Sequence, residues 1–287
     1  MNATPAPSSS STVWEVDFYK RPVCDRDGTP LWELCVVIPD RNFQTNAWCV
    51  QTEANSAWIA ARLAEIGPPP EALYVFRPES LSLIKTAGHA IGTTTIATRR
   101  TIALKRYLQS RTNDYIRIAG FNPDLARTYD PLAVGRPAPV PLDDGLHGDQ
   151  WRFASLTPRD LDALLDRPLR FKSAPASLHP LSLGLASTTP IPGVVFDAGR
   201  RSLHLARWID RQIPVAIDYI SGQPDGLVLE VGLADRWIMT TFDDPEVTAA
   251  GQLYRERRDT AGGLHFLLIR PDDSDMTYTG LWLLQPA

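Results

Sequence analysis

The stretch that decides the fold of the first half of the chain is Val13–Ile38, VWEVDFYKRPVCDRDGTPLWELCVVI. Apolar and polar residues alternate along its first part, which is typical of a half-buried strand. One strand face carries Trp14, Val16 and Phe18, and the other carries Glu15, Asp17 and Tyr19. The run Asp25-Arg26-Asp27-Gly28 favours a tight turn, because Gly accepts positive φ and Asp can bond nearby backbone. A second alternating run follows, with Trp32, Leu34, Val36 and Ile38 on its apolar face, so the stretch predicts a β-hairpin.

Helices and strands are predicted to alternate after this hairpin. The expected order is a helix over Asn55–Ile66, a strand over Ala72–Phe76, a helix from Pro78 to near Gly92, and a strand over Thr93–Ala97. Thr98 is placed to cap a third helix that runs to about Arg111 and buries Leu104 and Leu108. Together these elements predict an N-terminal α/β domain over residues 13–121.

A proline-rich segment is predicted to divide the chain. Residues 122–149 contain five prolines and no apolar periodicity, so they are expected to form a linker. Residues 150–287 are expected to form a C-terminal α+β domain. The predicted fold class is therefore α+β (mixed α/β), with two domains that are each a small mixed sheet with packed helices.

The amino-acid composition limits the classes of function. The 287 residues carry a formal net charge of -4, and 44% are hydrophobic, as in ordinary globular proteins. No apolar run approaches the roughly 18 residues of a membrane span. The Ser- and Pro-rich residues 1–12 lack the basic residues of a targeting signal, so we expect a disordered tail and a cytoplasmic protein. Cys24, Cys35 and Cys49 are expected to be buried or half-buried free thiols.

Sequence motifs for common enzyme chemistry are absent. There is no phosphate-binding loop, dinucleotide fingerprint or nucleophile elbow, and no pair of histidines has metal-ligand spacing. We therefore predict no cofactor, no metal and no enzyme activity. One alternative stays open, because Glu15, Asp17 and Glu33 can share a sheet face and carboxylates can hold Mg²⁺ for phosphodiester hydrolysis. The competing interpretation is a solvated polar face that needs no metal.

The segment 77–111 is the strongest candidate for binding nucleic acid. It contains seven basic residues and one carboxylate, Glu79, for a local net charge of +6. The candidate RNA-binding residues are Arg77, Lys85, Arg99, Arg100, Lys105, Arg106 and Tyr107. On the predicted third helix Arg99 and Arg106 share a face, which would attract phosphates, and Tyr107 could stack on an unpaired base. The alternative is a solvated basic helix balanced by acidic surface elsewhere.

A second candidate is the run Asp235-Arg236-Trp237, at the start of a predicted strand. A charged pair beside a tryptophan can form a recognition edge. It can equally be a tight turn held by an Asp235–Arg236 bridge, with Trp237 in the core, and this structural interpretation is favoured.

Ordered strings along the chain resemble the Tab2/Atab2 family. In the first half they include Trp14–Tyr19 with Arg21-Pro22, Leu31–Leu34, Pro39–Arg41 with Phe43, Asn55–Trp58, Phe76-Arg77 and Arg99–Leu104. In the second half they include Leu146–Trp151, Ile191–Gly193, Ala206–Ile209, Asp235–Trp237, Gly263–Leu267 and Gly280–Leu284. The chain departs from the family pattern at Glu230-Val231-Gly232, where Thr is expected at the middle position, and at Leu281, where an aromatic residue is expected.

The resemblance implies an RNA-binding translation factor of cyanobacteria and chloroplasts. Its expected partners are the single-stranded 5′ leader of photosystem I reaction-centre mRNA and translation or photosystem assembly factors. It implies a role in translating these messages and in photosystem assembly. Two alternatives remain: a protein-interaction scaffold for photosystem assembly that does not bind RNA, and the metal-dependent nuclease described above.

Overall fold

The computed structural model describes residues 13–286, which form two compact units, residues 13–135 and 136–286. The predicted disordered tail, residues 1–12, lies outside the described residues. Each unit combines β-sheet with packed helices, so the predicted mixed α/β fold with two units is confirmed. Along the described part of the chain, no helix is long and apolar enough to cross a membrane.

The N-terminal unit is built on one five-stranded mixed sheet. Its elements are β1 (Val13–Cys24), β2 (Pro30–Ile38), β3 (Phe43–Cys49), α1 (Ser56–Ile66), β4 (Ala72–Val75), α2 (Pro78–Ala90), β5 (Thr94–Ala97), α3 (Ile102–Tyr115) and α4 (Pro123–Arg127). The strand order is β3-β2-β1-β4-β5. Strands β1, β2 and β3 are antiparallel, as the predicted hairpin requires, whereas β4 and β5 run parallel to β1. The edge strand β3 was not predicted.

The alternation in β1 and β2 sends side chains to two different layers. Trp14, Val16 and Phe18 pack with Leu34, Val36 and Ile38 beneath helices α1 and α2. The opposite sheet face carries Cys35 and Val37, which pack against Leu104 and Leu108 of α3. Helices α2 and α3 therefore cover opposite faces of the sheet. All three cysteines are buried and not in disulfides, as predicted.

The proline-rich segment 122–149 is not simply a linker. Asn122 caps helix α4, and its side chain accepts the backbone N–H groups of Asp124 and Leu125. Leu132 and Val134 pack against the α3 side of the N-terminal sheet. The boundary between the two units falls between Gly135 and Arg136, inside this segment. Prolines remove backbone donors but leave carbonyls and side chains available for packing, which composition alone does not reveal.

The C-terminal unit contains two sheets. Its elements are β6 (Val140–Pro141), β7 (Gln150–Leu156), α5 (Pro158–Leu165), β8 (Phe171–Ser173), β9 (Ile191–Asp197), α6 (Ser202–Gln212), β10 (Pro214–Ile220), β11 (Asp225–Val231), β12 (Asp235–Phe242), α7 (Pro245–Thr260), β13 (His265–Arg270) and β14 (Gly280–Leu284). The strand orders are β10-β11-β12-β6 and β7-β9-β13-β14-β8. Side chains from both sheets meet in one core with Leu205 and Ile209 of α6. This second layer of sheet explains why β9 and β13 are buried along their whole length.

Candidate nucleic-acid interface

The start of α3 differs from the sequence prediction. The helix begins at Ile102 after Thr101, and Thr98 instead accepts the backbone N–H of Arg100 through its hydroxyl at 3.1 Å. The Thr101 hydroxyl caps no helix N–H. Glu15 of β1 supplies the missing acceptor, because its Oε2 receives the Leu104 N–H at 2.6 Å. A carboxylate at a helix N-terminus is favourable, so the sheet itself anchors the first turn of α3.

Burial and these backbone bonds have opposite effects on Glu15. Burial raises the pKa of the Glu15 carboxyl, and the N–H groups of Leu104 and Ala103 together with the Lys105 ammonium partly offset the rise. The Glu15 carboxylate therefore makes its contacts inside the protein.

Arg99 and Arg100 lie in the loop before α3 and not on the helix itself. The predicted helical face shared by Arg99 and Arg106 is therefore wrong. The loop is held from α3, since the Lys105 Nζ donates to the Arg99 carbonyl at 2.7 Å. Burial lowers the pKa of Lys105, and the neighbouring Arg99 lowers it further. Arg100 is exposed, whereas Arg99 and Lys105 are half-buried, so Arg100 presents its charge most openly to solvent.

Arg106 and Tyr107 lie side by side on α3. Arg106 is exposed, and Tyr107 is half-buried against the layer formed by Leu104 and Leu108. Burial raises the pKa of the Tyr107 phenol to about 12, so the hydroxyl stays protonated at neutral pH and can donate a hydrogen bond. Both residues line an open groove of about 350 Å³. Charge and an aromatic surface thus occur together, as single-strand binding requires.

Lys85 does not belong to this surface. It is exposed on α2, which covers the opposite sheet face from α3. The basic residues of segment 77–111 are therefore distributed over two sides of the N-terminal unit, and they do not form a single basic face. The basic residues lie on two sides because the chain passes through strand β5 between α2 and α3, and the two helices cover opposite faces of the sheet.

Arg77 is a correction to the predicted RNA-binding set. Its side chain is 1% exposed, and its Nε donates to Asp17 Oδ1 at 2.8 Å. Its Nη2 donates to the Pro131 carbonyl at 2.7 Å, and its Nη1 donates to the Ala133 carbonyl. Arg77 thus ties the end of β4 to β1 and to the proline-rich segment. A buried guanidinium with these partners is unavailable to phosphate.

Glu15, Asp17 and Glu33, the three carboxylates of the nuclease alternative, are also buried. The competing prediction of a solvated polar sheet face is therefore wrong as well. Asp17 and Glu33 share Arg21, whose Nη2 lies 2.8 Å from Asp17 Oδ2 and whose Nε lies 3.0 Å from Glu33 Oε2. Although burial alone lowers the pKa of Arg21, the Asp17 carboxylate raises it, and the net pKa lies well above the ordinary value.

Arg111 and Tyr115 of α3 complete the network around Glu33. Arg111 pairs with Glu33 Oε1, and the Tyr115 hydroxyl donates to Glu33 Oε2 at 2.7 Å. Within residues 13–286, no three His, Cys, Asp or Glu side chains are grouped so that they could hold a metal ion. Asp17 and Glu33 neutralise arginines, Glu15 accepts a backbone N–H of α3, and the geometry of a shared Mg²⁺ site is not formed.

The run Asp235-Arg236-Trp237 begins β12 in the C-terminal unit. Arg236 lies 4.0 Å from Glu230 Oε1, so its ion-pair partner is on β11, whereas the predicted partner was Asp235. The Trp237 ring meets Trp208 at 5.3 Å between centroids and packs against the core. Asp235 is exposed. These contacts agree with the structural interpretation of Trp237 and leave the recognition edge a prediction.

Sequence reasoning missed the residues that face α3 across the groove. Asn42, Phe43 and Gln44 line it from the β2–β3 turn and the first residues of β3. Phe43 is 40% exposed, which is unusual for so large an apolar ring. The available signal was a polar-aromatic-polar string directly after a predicted strand, but its position relative to α3 depends on tertiary structure.

Two family models match this chain, and together they span most of it. The model described as "RNA-binding protein Tab2/Atab2 N terminal" matches residues 13–111, and "RNA-binding protein Tab2/Atab2, C-terminal domain" matches residues 129–285. The chain therefore belongs to the Tab2/Atab2 family, which is a family of RNA-binding proteins. This confirms the resemblance to the Tab2/Atab2 family of RNA-binding proteins.

Two curated relatives have the same name, "Protein TAB2 homolog, chloroplastic". The Zea mays protein is 29% identical over 94% of this chain and 70% of its own length. The Arabidopsis thaliana protein is 28% identical over 96% of this chain and 75% of its own length. A solved viral intasome complex with the PP2A regulatory subunit B56 gamma covers 50% of this chain and 65% of its matched chain, at 11% identity and a TM-score of 0.25. That score is too low to indicate a shared fold.

Proposed function

We propose that this protein binds the single-stranded 5′ leader of photosystem I reaction-centre mRNA and promotes its translation, and with it photosystem assembly. The RNA-binding description of both family models supports the RNA partner. The names of the maize and Arabidopsis relatives support a role in organisms that carry out photosynthesis. The cytoplasm of a cyanobacterium is the proposed location, although the relatives are named chloroplastic.

The observation that supports a binding site is that Arg100 and Arg106 are both exposed. Arg100 lies in the loop just before α3, and Arg106 lies on the helix. Guanidinium groups in solvent can pair with phosphates at small desolvation cost, and they release counterions from the RNA. Tyr107 adds an aromatic surface between these charges and the core. We therefore propose that phosphates bind along the start of α3, with Arg99 and Lys105 at the flank.

A fluorescence-anisotropy titration tests this site. Labelled leader RNA of a photosystem I message and a scrambled RNA are titrated at two salt concentrations, with wild type and with Arg100→Ala/Arg106→Ala. For single strands each phosphate contact contributes about 0.7 to the salt slope of the binding constant. The double variant is expected to bind more weakly and to lower that slope by about 1.4, because two contacts are lost.

The charge-matched control is Lys85→Ala/Arg62→Ala, which removes two positive charges from α2 and α1 on the opposite sheet face. It is expected to bind RNA as wild type does. Equal losses in both variants would indicate attraction by net charge and would contradict the α3 site. If wild type binds neither RNA at low salt, RNA recognition by this chain alone is wrong, and the scaffold function replaces it.

A further inference from the structure

An open groove of about 350 Å³ runs between α3 and the β2–β3 turn. Its α3 wall presents Ala103, Arg106, Tyr107 and Ser110, which are spaced i, i+3, i+4 and i+7 and so share one helix face. The methyl group of Ala103 is the smallest side chain of this wall. A larger residue there would fill the space that now separates the helix from the sheet.

The opposite wall is formed by Asn42, Phe43 and Gln44. Asn42 adopts a left-handed conformation with φ 47°, and its N–H donates to the Pro39 carbonyl at 3.1 Å. This bend starts β3 directly beside Ile38, with Gln44 paired to Val37 on the α3 side of the sheet. Because β3 is the edge strand of its sheet, the wall faces solvent.

The chemistry of the groove is that of a site for an unpaired base. Tyr107 supplies an aromatic surface on the α3 wall, which can stack on any base because every base has a π-face. The exposed Asn42 and Gln44 amides offer both donors and acceptors, as base edges require. Arg106 brings an exposed positive charge to the rim. The volume is at the lower end of the range for small-ligand sites, about 300–1,000 Å³, which suits one nucleotide better than a folded partner.

We propose that this groove binds one unpaired nucleobase of an RNA strand. The base stacks against Tyr107, and Arg106 holds the adjacent phosphate. The Asn42 and Gln44 amides bond the base edge and give the protein its preference among bases. This inference rests on the proposed RNA-binding function. It adds the position at which the protein contacts a base, as distinct from the phosphate backbone.

The test compares two probes that share a backbone. One is an oligouridylate about ten nucleotides long, and the other has the same length but carries abasic sites. Wild type is titrated with both, alongside Ala103→Leu and the control Gln109→Leu. Leucine is a good helix former, so Ala103→Leu fills the groove without removing charge or breaking α3. Gln109 is exposed on α3 and does not line the groove, so its variant places the same leucine side chain on the helix outside the groove.

Wild type is expected to bind oligouridylate at least about fivefold more tightly than the abasic probe, which is the low end of base–aromatic stacking. Ala103→Leu should remove this ratio while leaving affinity for the abasic probe unchanged, and Gln109→Leu should retain the ratio. Equal binding of both probes by wild type would overturn the groove proposal and leave phosphate binding intact. A ratio retained in Ala103→Leu would also overturn it. Binding of neither probe would reject the proposed function and the groove together.

Discussion

Arg77 and Arg106 belong to the same basic segment and carry the same chemical group, but the structure places them in opposite environments. Arg77 is 1% exposed and bonds a carboxylate and two carbonyls. Arg106 lies on the solvent side of α3, at the rim of the groove. A buried guanidinium is needed by its partners, whereas an exposed one is available to a ligand. Burial, and not the number of charges in a segment, therefore separates arginines that hold the fold from arginines that can bind phosphate.

The largest effect is expected when the buried member of this pair is removed. Arg77→Ala leaves a charged oxygen of Asp17 and two buried carbonyls without their donor. Breaking a buried ion pair by removing one partner costs about 3–5 kcal/mol. We expect the free energy of unfolding of the N-terminal unit to fall by about this amount, measured by urea denaturation.

The matched control is Arg106→Ala, which removes the same group from the surface. Its effect on the free energy of unfolding should stay within about 0.5 kcal/mol. Equal destabilisation by the two variants would break the comparison, because it would make the exposed arginine as structural as the buried one.

A smaller effect is expected from a buried group that is held neutral. His265 accepts the Ile217 N–H at its Nε2 at 2.9 Å, and its Nδ1 lies 2.8 Å from the Gly263 carbonyl. Burial lowers the pKa of His265 to about 4, and the Gly263 bond only partly opposes it. The unfolded chain gains this proton below about pH 6.5, while the folded protein resists it until about pH 4. Stability from this residue is complete above pH 6.5 and is lost as the pH falls towards 4, by about 3 kcal/mol.

Urea denaturation across this pH range measures the effect. His265→Gln keeps hydrogen-bonding atoms but cannot titrate, so its unfolding free energy should fall less steeply between pH 6.5 and 4. Identical pH dependence in wild type and variant would show that the imidazole gains its proton equally well in both states.

The smallest effect is expected at Asp235, which is exposed at the start of β12. Asp235→Ala should change the free energy of unfolding by no more than about 0.5 kcal/mol, as is usual for surface substitutions. RNA affinity, measured by anisotropy, should be unchanged. Weaker RNA binding with intact stability would instead support a recognition edge at Asp235-Arg236-Trp237 and extend the RNA surface to the C-terminal unit.

Local patterns were enough to predict much of the fold. Helix α1 was predicted with its observed end at Ile66, and the hairpin of β1 and β2 and the turn at Asp25 are present. The start of α3 was missed because its N-terminal acceptor is Glu15, which is 89 residues away in sequence. Strand β3 was missed because it has no clean apolar alternation, and its first two residues are exposed. A hydrogen-bond acceptor that is distant in sequence, or an edge strand without apolar alternation, gives little signal in a short stretch of sequence.

The sequence by itself determined the periodic elements, the mixed α/β class and the membership of the Tab2/Atab2 family, because periodicity and ordered strings are local properties of the chain. Only the tertiary structure decided which charged residues are buried. Glu15, Asp17 and Glu33 were predicted to share a sheet face, and they do, but α3 and the proline-rich segment pack over that face. Arg21, Arg77 and Arg111 pair with Asp17 and Glu33 beneath this cover. A charged side chain in a sequence window has no fixed environment. Its role depends on whether distant residues pack over it and supply its hydrogen-bond partners.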